Sequence, residues 1–236
     1  MSISKYPLWE VIKHAFSKEV WAVMLPAVWD TLYMVGLSAA ITLILGIILG
    51  IVISVISKEG IRPVPVLNET MGTIINCLRS LPQMIMIIVT LPLARAILGQ
   101  SYGVNACIIA LAASCIPMYA RLVQGAFVEI PKGKIEAAKA MGSSGAGIVF
   151  RIMLPEALPA IIRSFTVALI GIISMTALAG NFGAGGIGDI AVRYGFNRFQ
   201  HDMLIAAVFV LIVMVQLVQF LGDLFSNLIL KKRHLI

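Results

Sequence analysis

The chain has 236 residues, of which 60% are apolar and 12% are charged, whereas soluble domains are roughly 45–50% apolar and about 25% charged. A bilayer core about 30 Å thick needs roughly 20 residues of helix per crossing, so a chain of this length holds several crossings and little besides. A large soluble catalytic domain is therefore excluded, and an all-α integral membrane protein is expected. The formal net charge is +7, but Lys and Arg punctuate apolar runs rather than covering one polar face, which indicates membrane topology and not nucleic-acid binding.

Residues 1–28 are predicted to form an extracytoplasmic or interfacial segment. Lys5, Glu10 and Lys13 interrupt any apolar core that a signal peptidase could remove, so this segment is expected to stay in the mature protein. Apolar residues recur at helical spacing opposite polar ones, which predicts an amphipathic helix lying on the lipid surface. These apolar positions are Leu8, Val11, Ile12, Ala15 and Phe16.

Residues 29–230 are predicted to form one transmembrane domain, which contains five apolar segments long enough to be membrane crossings. They are Thr31–Ile56, Glu69–Leu98, Val104–Ile130, Leu154–Gly180 and Asp202–Leu230. An odd number places the two termini on opposite sides of the membrane. Basic residues concentrate around Lys58 and Arg62, in the connection 131–153 and in the tail 231–236, which includes Lys231, Lys232 and Arg233. The positive-inside rule therefore predicts that these three regions are cytoplasmic and that the N-terminus is outside.

Two of these segments carry local signals. In the first, small residues recur every fourth position and predict a ridge that lets another helix approach closely; they are Ser38, Thr42, Gly46, Gly50 and Ser54. In the second, Pro82 is expected to kink the helix. Asn68, near the start of the second segment, is expected to be its N-cap rather than a glycosylation acceptor.

The connection 131–153 is too polar to remain in lipid and too short to form an independent domain. Pro131 suits a first helical turn, and the residues Lys132 to Met141 favour helix. Gly142, followed by Ser143, is expected to end this helix. A short helix projecting from the membrane on the cytoplasmic side is therefore predicted.

This connection also carries a spaced motif. Glu136-Ala137-Ala138 is followed after three residues by Gly142, and after nine more by Ile152-Met153-Leu154-Pro155. The pattern resembles the cytoplasmic signature of ABC importer permeases. Glu, Ala and Lys alone would describe any connecting helix, but the motif fixes six or more residue types over twenty positions in the expected topological place.

The resemblance implies a function for this helix. In such permeases it docks into a cleft of a separate ATPase subunit. The residues that would carry coupling are Glu136, Ala137, Ala138, Met141, Gly142, Ile152, Leu154 and Pro155. Glu136 would make polar contacts, Ala137 and Ala138 would allow close packing, and Gly142 would permit the turn between two short helices. The implied partners are a second copy of this chain, an ATPase dimer, an extracytoplasmic binding (lipo)protein and membrane lipid.

The resemblance extends from about Trp29 to Asp223 and narrows to permeases of the methionine uptake type in the bacterial inner membrane. The patterns that fit this subgroup are Arg79-Ser80-Leu81-Pro82, Leu154-Pro155-Glu156-Ala157-Leu158-Pro159, Gly183-Ala184-Gly185-Gly186-Ile187-Gly188 and Tyr194-Gly195-Phe196. Import of D- or L-methionine is the implied function, with another amino acid or small organic solute as the alternative. Two arginines near membrane depth and two residues close to Arg79 are candidates for gate or path support: Arg79, Ser80, Pro82 and Arg163.

The chain offers little catalytic chemistry. It has no GxxxxGK[ST] motif, so ATP and Mg would be bound by the partner, and no cofactor or metal is expected here. Ser101 lies in a formal G-x-S-x-G, but no histidine is placed near it, which leaves an intramembrane enzyme as a poor alternative. A passive channel, which would conduct without an ATPase, is the third alternative.

Overall fold

A computed structural model describes residues 7–232, and within that range it contains helices and turns but no strand. This confirms the predicted all-α class. The helices are α1 (Leu8–Ala15), α2 (Lys18–Ile56), α3 (Pro65–Ser80), α4 (Gln83–Leu98), α5 (Gly103–Val128), α6 (Lys132–Ala140), α7 (Gly145–Ile148), α8 (Leu154–Ala179), α9 (Gly186–Ile190) and α10 (His201–Lys232).

The first crossing is longer than the sequence predicts. α2 begins at Lys18 rather than at Thr31, so residues 18–28 belong to the same helix as the first apolar segment, and the expected boundary at residue 29 falls inside α2. Pro26 lies within this helix. Only α1, with Phe16 directly after it, forms the separate amphipathic helix that was predicted.

The second apolar segment is broken, as Pro82 predicts, but far more sharply than by a kink. α3 and α4 meet at an angle of 114°. Leu81 adopts an extended conformation, with φ −74° and ψ 136°, because the ring of a following proline disfavours the helical region. The expected cap at Asn68 is wrong: α3 begins at Pro65, whose missing N–H and fixed φ suit a first helical position.

Four helical runs in the described part of the chain are long and apolar enough to cross a membrane, and the bent α3–α4 pair makes five if it is one span. The four are Lys18–Ile56, Gly103–Val128, Gly145–Phe182 and His201–Lys231. The predicted count of about five crossings is therefore confirmed.

By their internal contacts the residues fall into two units. The first unit takes the chain up to Ala39, together with Gln83–Ala113 and Leu169–Val218. Thr31 links its elements: the buried hydroxyl accepts a 2.9 Å hydrogen bond from the backbone N–H of Ile187 and donates to the carbonyl of Ala27.

At the end of α1 in the same unit, His14 Nδ1 lies 2.8 Å from Asp202 Oδ2, and the ring of Phe16 packs edge-on against Phe209. These contacts attach the amphipathic helix to the beginning of α10.

The second unit, Ala40–Pro82, Ser114–Ala168 and the chain from Gln219, contains the predicted small-residue ridge from Thr42 onward, whereas Ser38 belongs to the first unit. A Cβ at Gly46 would lie 2.5 Å from the Tyr119 ring, and one at Gly50 would lie 2.6 Å from the Val123 side chain and 2.9 Å from the carbonyl oxygen of Ala120. The ridge therefore allows α2 and α5 to approach closely, as predicted.

A polar tie joins α5 to α3 in this unit. Arg121 donates hydrogen bonds to the backbone carbonyl of Gly72 at 3.1 Å and to the side-chain oxygen of Asn76 at 3.2 Å. A third bond, to Gln124, stays within α5. The guanidinium thus fixes the position of α3, which has few buried residues of its own.

We expect Gly50→Ala to destabilise the protein by about 1–3 kcal/mol, because the added methyl meets a backbone oxygen that cannot rotate away. The matched control is Gly125→Ala on the partner helix α5, where an added Cβ has nothing within 4 Å. Thermal unfolding in detergent would show a lowered midpoint for the first variant only. Equal midpoints would contradict the close approach of α2 and α5.

Candidate coupling site

The predicted short helix is present. α6 spans Lys132–Ala140, one residue shorter than expected, and Pro131 precedes it. Its end has the geometry of a glycine-capped helix: Gly142 has φ +77°, its N–H donates to the Lys139 carbonyl, and the Ser143 N–H donates to the Ala138 carbonyl, both at 3.0 Å. This pair of bonds satisfies carbonyls that the last turn leaves free, and only glycine adopts that backbone without strain.

The second half of the connection differs from the expectation of a separate short helix. The Ser144 hydroxyl accepts a 3.1 Å bond from the Gly147 N–H and caps α7. From there a π-helical turn at Val149–Met153 leads directly into α8. The fourth crossing thus begins at Gly145 and not at Leu154. The wide turn lies just before Pro155, which has no N–H to continue a regular α-helical ladder.

The structure separates the signature residues into two groups. On α6 and its cap, Glu136, Ala137, Met141 and Gly142 are exposed, and Met141 is 78% exposed. Ala138 is buried at 1% exposure. The remaining three, at the start of the fourth crossing, are half-buried: Ile152, Leu154 and Pro155. The first group forms a free surface and the second anchors the connection.

Two ion pairs fix the first turn of α6. Lys132 Nζ lies 2.6 Å from Glu59 Oε2 in the connection between α2 and α3, and Lys134 pairs with Glu156 in the first turn of α8. The hydrogen bond and positive charge of Lys132 lower the pKa of Glu59, and Glu59 in turn raises the pKa of Lys132. Both groups are therefore charged at neutral pH.

Glu59 and Glu156 are not among the site residues that the sequence predicts. The sequence does contain a signal for these ion pairs: carboxylates are scarce in the basic connections, so an isolated Glu near several Lys residues is a candidate for an ion pair. What the sequence could not provide is which Lys meets which Glu, since the partners are far apart in the chain.

A cavity of about 90 Å³ lies behind the first turn of α6. It is bounded by the end of α2, the end of α5, α6 and the π-helical turn. The lining residues include Ser57, Gly60, Gln124, Phe127, Ile135 and Met153. The base of the exposed helix is therefore not closely packed.

Three of the four candidates for path support lie together at the break between α3 and α4, and the fourth lies on α8. Arg79 and Ser80 end α3, Pro82 stands in the break before α4, and Arg163 lies on α8; all four are exposed in the single chain. Their role stays a prediction. Across residues 7–232, no group of three or more His, Cys, Asp or Glu side chains is placed to hold a metal ion.

Several apolar helices, with a capped and exposed helix at the start of the charged connection 131–153, are the arrangement expected of a membrane permease subunit. The family of binding-protein-dependent transport system inner membrane components matches residues 43–234. The chain belongs to this family. This confirms the prediction of a transport subunit rather than an enzyme.

The chain is similar to named relatives over most of its length. It is 40% identical over 200 residues to a probable D-methionine transport system permease protein, MetI, of Vibrio cholerae, covering 85% of this chain and 89% of the relative. It is 37% identical over 176 residues to the methionine import system permease protein MetP of Bacillus subtilis, covering 75% and 79%.

Solved structures agree. The fold matches a chain of the MetNI methionine ABC transporter in an inward-facing conformation with a TM-score of 0.88 and 33% identity, covering 91% of this chain and 99% of that one. A chain of an amino acid ABC transporter shares the fold with a TM-score of 0.71 at 16% identity.

We expect Gly142→Ala to loosen the end of α6, because a residue with a Cβ in the left-handed region costs about 1–2 kcal/mol. Gly142→Asn should have a smaller effect, since Asn tolerates this conformation. The control is Gly133→Ala, at an open position inside α6. Amide hydrogen exchange of residues 132–143 should be fastest in Gly142→Ala and slower in Gly142→Asn. It should not accelerate in the control. Unchanged exchange in Gly142→Ala would contradict the assigned cap.

Proposed function

We propose that this chain forms the translocation path of an ATP-driven methionine importer in the bacterial inner membrane. It works as a homodimer, with an ATPase dimer on the cytoplasmic side and an extracytoplasmic binding protein that delivers the substrate. The observation that carries the proposal is the capped helix α6, which presents Glu136, Ala137 and Met141 to solvent at the position of the coupling signature.

The physical properties of α6 suit a docking element. The small side chain of Ala137 lets a partner's backbone come close, and Glu136 supplies one charge for a polar contact. Ala138, which the resemblance also assigns to close packing with the partner, is buried within this chain, and the exposed small residue beside Ala137 is Ala140 instead. The exposed Met141 side chain is flexible and apolar, which suits packing into a cleft of another protein. ATP and Mg are bound by that partner, and this chain supplies the moving surface.

Coupling requires that the ATPase distinguish two states of the permease. Closure of the ATPase dimer on ATP would draw the two α6 helices together and favour an outward-open path, and hydrolysis would return the inward-open one. Such a shift needs contacts that differ between the states. Because α7 continues through the π-helical turn into α8, displacement of the connection acts directly on the fourth crossing.

The orientation follows from charge. The connection 131–153, the region of Lys58 and Arg62, and the tail carry most of the basic residues and are proposed to face the cytoplasm, with α1 outside. Arg233 and the rest of 233–236 lie outside the described residues.

A role in the path is proposed for the residues at the break between α3 and α4. Arg79, Ser80 and Pro82 stand where the chain turns by 114°, so they would set the direction of both halves. Arg163 on α8 would line or support the same path.

We infer that the substrate is methionine, because the chain is similar to relatives named for D-methionine transport and for methionine import. The proposal includes both enantiomers. Another amino acid or small organic solute remains the competing substrate class, because selectivity in such systems is shared with the binding protein.

The test of the substrate is uptake of labelled methionine by cells that lack their own importer and express this chain with its neighbouring ATPase and binding protein. We expect ATP-dependent uptake that unlabelled D- or L-methionine competes and other amino acids do not. If the ATPase co-purifies with this chain but methionine is not taken up, the assignment as a permease subunit stands and methionine is rejected as the substrate. Uptake without the ATPase would favour a passive channel.

For the docking role we expect Glu136→Arg to weaken ATPase binding or to lower transport at least tenfold, which corresponds to about 1.4 kcal/mol, with normal membrane insertion. The control is Glu10→Arg, the same change at an exposed position of α1. Co-purification of the ATPase and uptake rates would be measured for both. Full transport by Glu136→Arg would reject the docking role of this residue.

A further inference from the structure

The first turn of α6 is held at two points that lie on different sides of the helix. Lys132 reaches Glu59 in the connection after α2, and Lys134 reaches Glu156 at the start of α8. Residues two apart are separated by about 200° around a helix of 3.6 residues per turn. The two ion pairs therefore hold α6 on opposite sides, and together they resist rotation of the helix about its axis and tilting of that axis.

Apolar packing does not provide this attachment. Within α6, all of which the structure describes, Ala138 is the buried residue. The cavity of about 90 Å³ lies between Lys132 and Ile135 on the helix and Gly60 and Ile61 in the connection after α2. With a void on that side, the Lys132–Glu59 pair bridges α6 to the end of α2.

The helix also needs external support. α6 has 9 residues, and isolated helices shorter than about 12–15 residues are marginal in water. Its C-terminal end is secured by the Gly142 cap. The ion pairs secure the other end, where Pro131 makes no side-chain cap.

We propose that the Lys132–Glu59 and Lys134–Glu156 pairs are positioning pairs that make α6 move as one body with the end of α2 and the start of α8. A displacement applied at the exposed face of α6 then reaches two membrane helices instead of being lost in bending of the connection. This inference rests on the proposed function, because it assigns the pairs a part in coupling. Lys132, Lys134, Glu59 and Glu156 act through α6 and need not touch the ATPase.

The expected size of the effect is modest. All four side chains are partly or mostly exposed, and loss of an exposed pair changes an equilibrium by about 1.5- to 5-fold. The pairs should therefore govern how efficiently ATP hydrolysis drives transport, while assembly of the complex survives their loss.

The first test does not depend on transport. In the membrane-embedded permease, Glu59→Lys should raise amide hydrogen exchange of residues 132–140 by about 1.5- to 5-fold, and the swap Glu59→Lys with Lys132→Glu should restore most of the protection. Lys132→Glu alone is less informative, because it also adds repulsion with Glu136 one turn further on, whose charge acts on Lys132. The swap carries the same repulsion, so its restoration is expected to be large but incomplete.

The matched control is Glu69→Lys. It makes the same charge change and also breaks an exposed ion pair, with Lys58, whose atoms lie 3.5 Å apart, but that pair joins the connection to α3 and does not touch α6. Exchange in α6 should be unchanged in this variant.

The second test measures substrate transported per ATP hydrolysed in the assembled complex. Glu59→Lys should lower this ratio by about 1.5- to 5-fold without reducing co-purification of the ATPase, the swap should restore it, and Glu69→Lys should leave it unchanged. Restoration by the swap separates positioning of α6 from a direct contact of Lys132 with the ATPase, which reversed charges would not rebuild.

Three results would overturn the inference: a wild-type ratio in Glu59→Lys, no restoration by the swap, or an equal fall in Glu69→Lys. Failure of the wild-type complex to transport any solute is a different outcome. It would reject the proposed function and with it the coupling role, while the exchange data would still decide whether the pairs hold α6.

Discussion

The interior of a bilayer offers no water to backbone N–H and C=O groups, so each crossing must satisfy them within its own helix. Most of this chain consequently consists of long apolar helices that pack through small residues such as Gly46 and Gly50. Most charged side chains lie in the segments that connect these helices or near the helix ends. The connection 131–153 contains the exposed helix α6, and for this reason we propose it as the surface on which the ATPase docks.

Local signals in the sequence account for the features that depend on neighbouring residues. Apolar run length predicts the crossings. The recurrence of small residues at every fourth position predicts that another helix approaches α2 closely, although it does not identify that helix as α5. The stop at Gly142 is predictable because a left-handed residue after a helix is almost a glycine requirement. The coupling motif is recognisable for the same reason, since its spacing is local and its residue types are unusual in combination.

The remaining features depend on contacts that sequence spacing does not reveal. Lys18 and Glu19 mark the start of the long helix α2, although charges there suggest a surface segment. Pro82 indicates a kink, but a proline by itself does not specify an angle as large as 114°. The π-helical turn at Val149–Met153 joins α7 to α8 and removes the expected gap between them. The pairing of Lys132 with Glu59 joins residues that are remote in the chain.

In the function that we propose, the exposed face of α6 is where the motion driven by ATP hydrolysis is transmitted to this chain. The most direct measurement places a photo-reactive amino acid at Met141, which is 78% exposed, and for comparison at Phe196, which is 71% exposed in the connection before α10. Illumination of the assembled, transporting complex should cross-link Met141 to the ATPase and leave Phe196 unlinked to it. A cross-link from Phe196, or none from Met141, would contradict the account.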